Sequence, residues 1–207
     1  MGEIAIVEAD TADLSSLTTV VARSFFPVNP FIKSIFPDTA AMRQWWSTVF
    51  AQEIGAPDCH VLIARQPKKN TVALGVLTLR LLNEYDKGAG LWSSSPLTDD
   101  HNQSLYWPMI DGMSEHRERL MTGRKHFLLE LFGVDQAYQG QRVGKQLLQR
   151  ACDIADEAQY VTFVQANASA RGIYEKAGFV LKSETLMPGE LNYREFMLVR
   201  QPVPIAI

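Results

Sequence analysis

Residues 127–134, FLLELFGV, make an apolar run broken by one charge, Glu130. A run of this kind is the mark of a strand buried on both faces. Such a strand needs cover on both sides, which places the chain in the α/β class. A short loop, 135–141, follows it. A helix is then expected over about 142–158, with Leu147, Leu148, Ala151, Ile154 and Ala155 as its core stripe. The turn between strand and helix is Gln139-Gly140-Gln141-Arg142-Val143-Gly144. At a helix start the first N–H groups have no partner and the helix dipole adds partial positive charge. Glycines let a ligand approach the backbone. The combination suits a phosphate or pyrophosphate, and Arg142 and Lys145 could add charge beside it. A plain loop entering a helix would fit the turn equally well. The phosphate loop GxxxxGK[ST] and the dinucleotide fingerprint GxGxxG are both absent, which argues against a nucleoside triphosphatase and a dinucleotide fold.

The rest of the chain alternates helix and strand patterns. A strand is expected over 4–8 and a helix from about 11, with Leu14, Leu17, Val20 and Val21 inward. The aromatic segment 24–38 is broken by Pro27, Pro30 and Pro37. Asp38 is the expected N-cap of a helix reaching about 54, with Trp45, Trp46, Val49 and Phe50 inward. Strands are expected over 60–65 and 72–82, joined by a turn at 67–70. Residues 83–101 read as a mobile loop, with Trp92 as a candidate lid. A helix is expected within 105–120, its SEHRER stretch on a solvated face. Beyond the central unit come a strand over 160–165, a helix over 169–177 closed by Gly178 as a left-handed cap, and an antiparallel pair over 179–185 and 193–200.

The chain has 207 residues, 46% hydrophobic and 21% charged, with a net charge of −3. One domain with a proper core is expected over 1–207. Nothing in the charge suggests capture of nucleic acid or of an acidic membrane. No apolar run approaches the roughly 18 residues of a membrane helix, and the N-terminus lacks the layout of a signal peptide. Two cysteines, Cys59 and Cys152, without a CxxC pair argue for a reducing compartment. A cytoplasmic protein without a metal site is the expectation.

YQGQRVGKQLL, preceded by LFGVDQA, resembles the acetyl-CoA site of the GNAT superfamily of N-acetyltransferases, whose motif is [QR]-x-x-G-x-[GA]. NASARGIYEKAGFV resembles the same family's N-x-x-A-x-x-x-Y-x-x-x-G-F segment. The two halves stand in the right order at about the usual distance, and the likeness is clear over 127–180. The resemblance implies a twisted mixed sheet with a central splay and helices on both faces, with acceptor-side elements in about 20–125. The layout is most similar to puromycin N-acetyltransferase and related small-molecule enzymes. The implied activity is direct transfer of acetyl from acetyl-CoA to a small-molecule amine by a monomer or homodimer. Alternatives are a CoA-binding module without turnover, and a protein lysine or N-terminal acetyltransferase.

Carried over residue by residue, the resemblance assigns Phe132, Gly133 and Val134 to the pantetheine arm by strand addition. Gly133 is also a candidate bulge. It assigns Gln139, Gly140, Gln141, Arg142, Val143, Gly144 and Lys145 to the pyrophosphate, and Asn167 to the cofactor arm, where an N-cap role fits as well. Tyr174 matches the general acid, against the plain reading of a packed tyrosine. Arg142 stands where the family usually has glycine; a right-handed conformation is expected to fit it to the helix start. Glu130 is a candidate general base because burial raises a carboxyl pKa; the alternative is a glutamate paired with a basic residue. His126 is a second candidate. Gln165 stands where relatives often carry glutamate, which removes one possible base. Cys152 reads as a small buried residue.

Overall fold

The computed structural model describes residues 3–26, 29–67, 72–88, 92, 94–187 and 192–204. The expected turn at 67–70 lies largely outside them, as do residues 188–191 between the expected closing strands and most of residues 89–93. Seven strands form one sheet: β1 (Ala5–Glu8), β2 (Cys59–Arg65), β3 (Gly75–Leu82), β4 (His126–Val134), β5 (Val161–Asn167), β6 (Val180–Leu186) and β7 (Arg194–Arg200). Their order is β1-β2-β3-β4-β5-β7-β6. Six helices accompany them among the described residues: α1 (Leu14–Phe25), α2 (Pro30–Ile35), α3 (Ala40–Ile54), α4 (Gln103–Met121), α5 (Val143–Glu157) and α6 (Ala168–Lys176). The fold is the expected mixed sheet covered on both faces.

One face carries the aromatic N-terminal half. Leu17 and Val21 of α1, Phe31 of α2, Trp46 and Phe50 of α3 and Tyr106 of α4 pack on Val61, Ile63, Val76 and Leu131. The opposite face receives α5, whose Leu147, Leu148 and Ala151 cover Leu62, Leu77, Leu79 and Leu129. Burying each such side chain contributes about 1.5–3 kcal/mol, so this two-sided cover holds the central strands in place. No helix among the described residues is long and apolar enough to cross a membrane.

Local chemistry sets most boundaries, with three corrections. The N-cap of α3 is Thr39 rather than Asp38: Thr39 is extended, and its hydroxyl accepts from the Met42 N–H at 3.1 Å. Asp38 instead clamps Arg43 at 2.6 and 2.9 Å. The second correction falls in the SEHRER stretch, where Arg117 is 2% exposed. Its guanidinium donates to the carbonyls of Asp86 at 2.7 Å and Gly88 at 3.2 Å, satisfying orphan backbone groups of the loop after β3. Trp92 belongs to the core as well: it is buried and packs edge-on against Phe36 and Trp46.

The third correction concerns the bulge in β4. Thr78 pairs with Leu131 and Leu79 with Leu129, so Glu130 is the inserted residue and Gly133 is in register with Val76. The glycine serves a close approach instead. A Cβ on Gly133 would lie 2.5 Å from the Ser24 hydroxyl of α1. The bulge also reverses the strand's alternation: Leu129 packs toward α5, while Leu131 packs toward α1 and α3.

Among the described residues β4 and β5 are the only parallel pair, and they pair only from His126↔Val161 to Leu129↔Val164. Beyond that point β4 stays on β3 to Val134 and β5 stays on β7 to Asn167. The sheet therefore opens between residues 130–134 and 165–167. This is the expected splay.

Candidate active site

The turn before α5 is built by its own side chains. Asp135 caps a short 3-10 turn, Gln136–Tyr138, and is held at 3.1 Å by Arg23 of α1. The Gln139 amide donates to the Val134 carbonyl at 3.0 Å, and the Gln141 amide to the Ala137 carbonyl at 2.9 Å. These two side chains shape the loop. Gly140 has φ +73°, where a glycine is free of steric cost. Arg142 is also left-handed, with φ 65° and ψ 8°, which corrects the expected right-handed conformation. The chain must reverse its sense there to let α5 start at Val143. No side chain caps α5, so its first N–H groups are open to a ligand.

Those groups face a cleft of about 570 Å³. One end is formed by Tyr138, Gly140, Arg142, Gly144 and Lys145; Gln139 and Val143 also line it. Phe132, Val134, Asn167 and Ile173 bring it to the mouth of the splay. Gly133 and Gln141 do not line it. Asn167 is the N-cap of α6, accepting from the Ala170 N–H at 2.8 Å, and it also lines the cleft. A strand edge unpaired toward β5 and an uncapped helix start at the far end fit a long ligand with an amide-bearing arm and a pyrophosphate.

The cleft continues into a chamber of about 90 Å³ between the open strands, sharing Phe25, Asn29, Phe132, Asn167 and Ala170 with it. Tyr174, Glu130, Gln165, Tyr193 and Glu195 line the chamber. Tyr174 is 3% exposed and packs edge-on against Phe132 and Phe179. Burial pushes its phenol far up, so it stays protonated at working pH.

Glu130 is paired. The Arg80 Nε donates to both of its oxygens at 3.1 Å, and Arg80 also reaches Asp58 at 3.4 Å. Glu53 of α3 stands 3.9 Å from Arg80. Three acidic groups thus surround one guanidinium. Burial first, then the charge of Glu130, pushes the Glu53 carboxyl well above the usual range. Burial also raises Glu130, opposed by Arg80. Glu53 is therefore the member of the cluster pushed furthest toward holding a proton, while Arg80 opposes the rise at Glu130. His126 lies outside the chamber lining. Its Nδ1 donates to the Arg124 carbonyl at 2.7 Å, and Arg117 stands 3.5 Å from its Nε2.

Sequence reasoning missed the opposite wall. Glu195 of β7 is 6% exposed, and the Gln165 amide donates to it. The Tyr193 phenol also acts to lower its carboxyl pKa, and Asn29 donates to the Tyr193 oxygen at 3.1 Å. Burial raises the Glu195 carboxyl, and the groups acting on it are these two neutral ones, Gln165 and Tyr193. The available signal was a carboxylate directly abutting the apolar run FMLV, next to Arg194. Gln165, read as a lost carboxylate, instead orients one supplied from the next strand.

Neither cysteine has a nucleophile's setting. Burial raises the Cys152 thiol to about 11 and pushes Cys59 higher. Among the described residues no cluster of three metal-ligating side chains is present.

The sequence model of the acetyltransferase (GNAT) family matches residues 26–179, a span that includes the turn, the splay and Tyr174. The chain belongs to the GNAT acetyltransferase family. None of the proteins of curated function matches it significantly in sequence. Solved structures share the GNAT fold across almost the whole chain. A mutant of an agmatine N-acetyltransferase in its apo form superposes with a TM-score of 0.70 at 11% identity, covering 96% of this chain and 99% of the other. A mosquito arylalkylamine N-acetyltransferase-like protein gives 0.68 at 14% identity, covering 96% and 100%. The ribosomal-protein-S18-alanine N-acetyltransferase of Escherichia coli gives 0.60 at 14% identity, covering 99% and 96%. Against the GNAT motif, the left-handed backbone at Arg142 explains why glycine is usual there: only glycine adopts that conformation without strain.

Proposed function

We propose that this GNAT protein transfers the acetyl group of acetyl-CoA to the amine of a small molecule by direct transfer in a ternary complex. The observation that carries the reading is that the cleft ends in a small chamber walled by α1, α2 and α4 and lined by two carboxylates and Tyr174. A protein substrate needs an open groove; a small amine fits a chamber. The agmatine and arylalkylamine enzymes that share the fold are named for small amines, which supports the same reading. The aromatic, proline-bearing segment around α2 is what supports a place near the puromycin N-acetyltransferase-like enzymes.

When bound, acetyl-CoA supplies the acetyl group as a thioester. The backbone at Gly140 and Arg142–Gly144, with the Arg142 and Lys145 side chains, would hold the pyrophosphate, and Phe132 and Val134 with Asn167 would hold the pantetheine arm. Glu130, paired with Arg80, takes the proton of the incoming amine. Tyr174 holds the proton that the departing sulfur requires.

A screen of acetyl-CoA consumption over small amines, amino acids and peptides tests the proposal. Turnover with small amines and none with peptides is expected. Turnover with peptides alone would move the protein to the second reading, a protein N-terminal acetyltransferase, which the ribosomal-protein enzyme among the fold relatives favours. Binding of CoA without turnover of any acceptor would support the non-catalytic module.

A further inference from the structure

The chamber has two carboxylates, and they differ in one respect. Glu130 has a cation, Arg80, at 3.1 Å. Glu195, 6% exposed, has the Gln165 amide and the Tyr193 hydroxyl, and among the described residues no basic side chain acts on it. A buried carboxylate without a cation is costly unless one is supplied. We propose that Glu195 is a subsite for a second, non-reacting cationic group of the acceptor, so that the preferred substrates are short molecules with two basic groups, diamines or amino-guanidines.

The inference rests on the small-molecule reading above and sharpens it. A cation held at Glu195 is not the nitrogen that reacts. An unneutralised carboxylate at contact distance favours the charged form of an ammonium, whereas the attacking amine has to be neutral. Acetylation also converts the reacting amine into an uncharged amide, which would leave Glu195 bare in the product complex. A second ammonium or guanidinium keeps it paired from binding to release. Glu130 suits the reacting end instead, because Arg80 already balances its charge.

The topology sets the reach. β5 lies between β4 and β7, and Glu195 stands level with Asn167, two residues beyond Gln165 into the opening. The backbones carrying Glu130 and Glu195 are therefore more than two strand spacings apart, beyond about 10 Å, and the two side chains close the gap from opposite walls. Both side chains line the one chamber, and Ile32, Met109, Met113 and Trp92 supply apolar wall beside them. That arrangement matches a short methylene chain with a basic group at each end. The Gln165 amide holds the carboxylate in place before a ligand arrives, beside a Tyr193 phenol that Asn29 anchors.

The test compares diaminobutane, butylamine and aminobutanol as acceptors of the full-length protein and of Glu195→Gln. In the wild type, kcat/KM for the diamine is expected to exceed that of the other two by about 10- to 100-fold, the worth of one charge-assisted hydrogen bond. In Glu195→Gln the preference is expected to fall to near unity while KM for acetyl-CoA is unchanged. A wild type without the preference, or a variant that keeps it, overturns the proposal. Should the variant fail to fold, calorimetric titration of the wild type with diaminobutane against aminobutanol decides, and equal affinities overturn it. A wild type that binds the diamine selectively but acetylates no amine would sink the transferase reading and leave the cation subsite standing.

Discussion

Both carboxylate oxygens of Glu130 stand 3.1 Å from the Arg80 Nε, on a residue that the β4 bulge turns out of strand register. The bulge places a carboxyl between two sheet halves, where burial raises its pKa and the guanidinium opposes that rise. Glu130→Gln keeps the shape and removes the base. We expect kcat to fall about 100-fold or more, with KM for acetyl-CoA unchanged. The wild-type kcat/KM is expected to rise with pH through a carboxyl pKa above the usual 4.5, since burial raises it. That acid limb should vanish in the variant; steady-state pH profiles of the two proteins check it.

Glu53 gives a stability prediction of definite sign. Its carboxyl has a higher pKa folded than unfolded, through burial and the charge of Glu130. Its contribution is fully present below the ordinary carboxyl value of 4.5 and is lost as pH rises through the folded value. Glu53→Gln cannot ionise. Chemical denaturation across neutral and alkaline pH should therefore show the variant gaining on the wild type as pH rises, with the gap closing in acid. A gap independent of pH would mean that Glu53 is not the proton-bearing member of the cluster.

Tyr174→Phe removes one hydroxyl from a ring packed between Phe132 and Phe179. The packing survives, so stability should change little. The kcat is expected to fall about 100- to 10,000-fold if the phenol protonates the departing sulfur. Rapid-mixing kinetics with thiol detection reads this directly, and full turnover at every pH would remove Tyr174 from the mechanism.

Arg142 tests the turn. A non-glycine residue in the left-handed region costs about 1–2 kcal/mol. Arg142→Gly relieves that strain, and Arg142→Ala does not. Against the alanine variant, the glycine variant should be more stable by about 1 kcal/mol in urea denaturation. Both lose the arginine's charge beside the cleft, so both should bind CoA more weakly than the wild type, and their affinities should differ little.

What could be read from the sequence follows from what is local. The apolar run of β4, the helix stripe of α5 and the N-cap of α6 depend on neighbours a few residues away, and each stands about where expected. Asn167 and Tyr174 are the cap and the last turn of one short helix, so a single segment of sequence carries both. Glu195 was missed because its meaning depends on Gln165, which reaches it from β5, and on a chamber wall that Asn29 completes from the start of α2. Arg117 was misread because its partners are loop carbonyls, and a carbonyl leaves no trace in a residue pattern. The conformation of Arg142 was misjudged for a related reason: backbone geometry at that point is dictated by how the loop from β4 must turn to enter α5, and not by the residue's own preference.

The short join between β4 and β5 has a mechanical consequence. Four residue pairs, His126↔Val161 to Leu129↔Val164, bind a plate made of β1–β4 to one made of β5–β7. The seam is as short as the β1–β2 join but runs through the middle of the sheet, and an extended ligand lying in it, as proposed for the cofactor arm, would supply the missing rungs. Filling the seam is expected to stiffen the sheet across its middle, making the protein a looser body when empty than when loaded. Its amide exchange along 130–134 and 165–167 reads that difference directly.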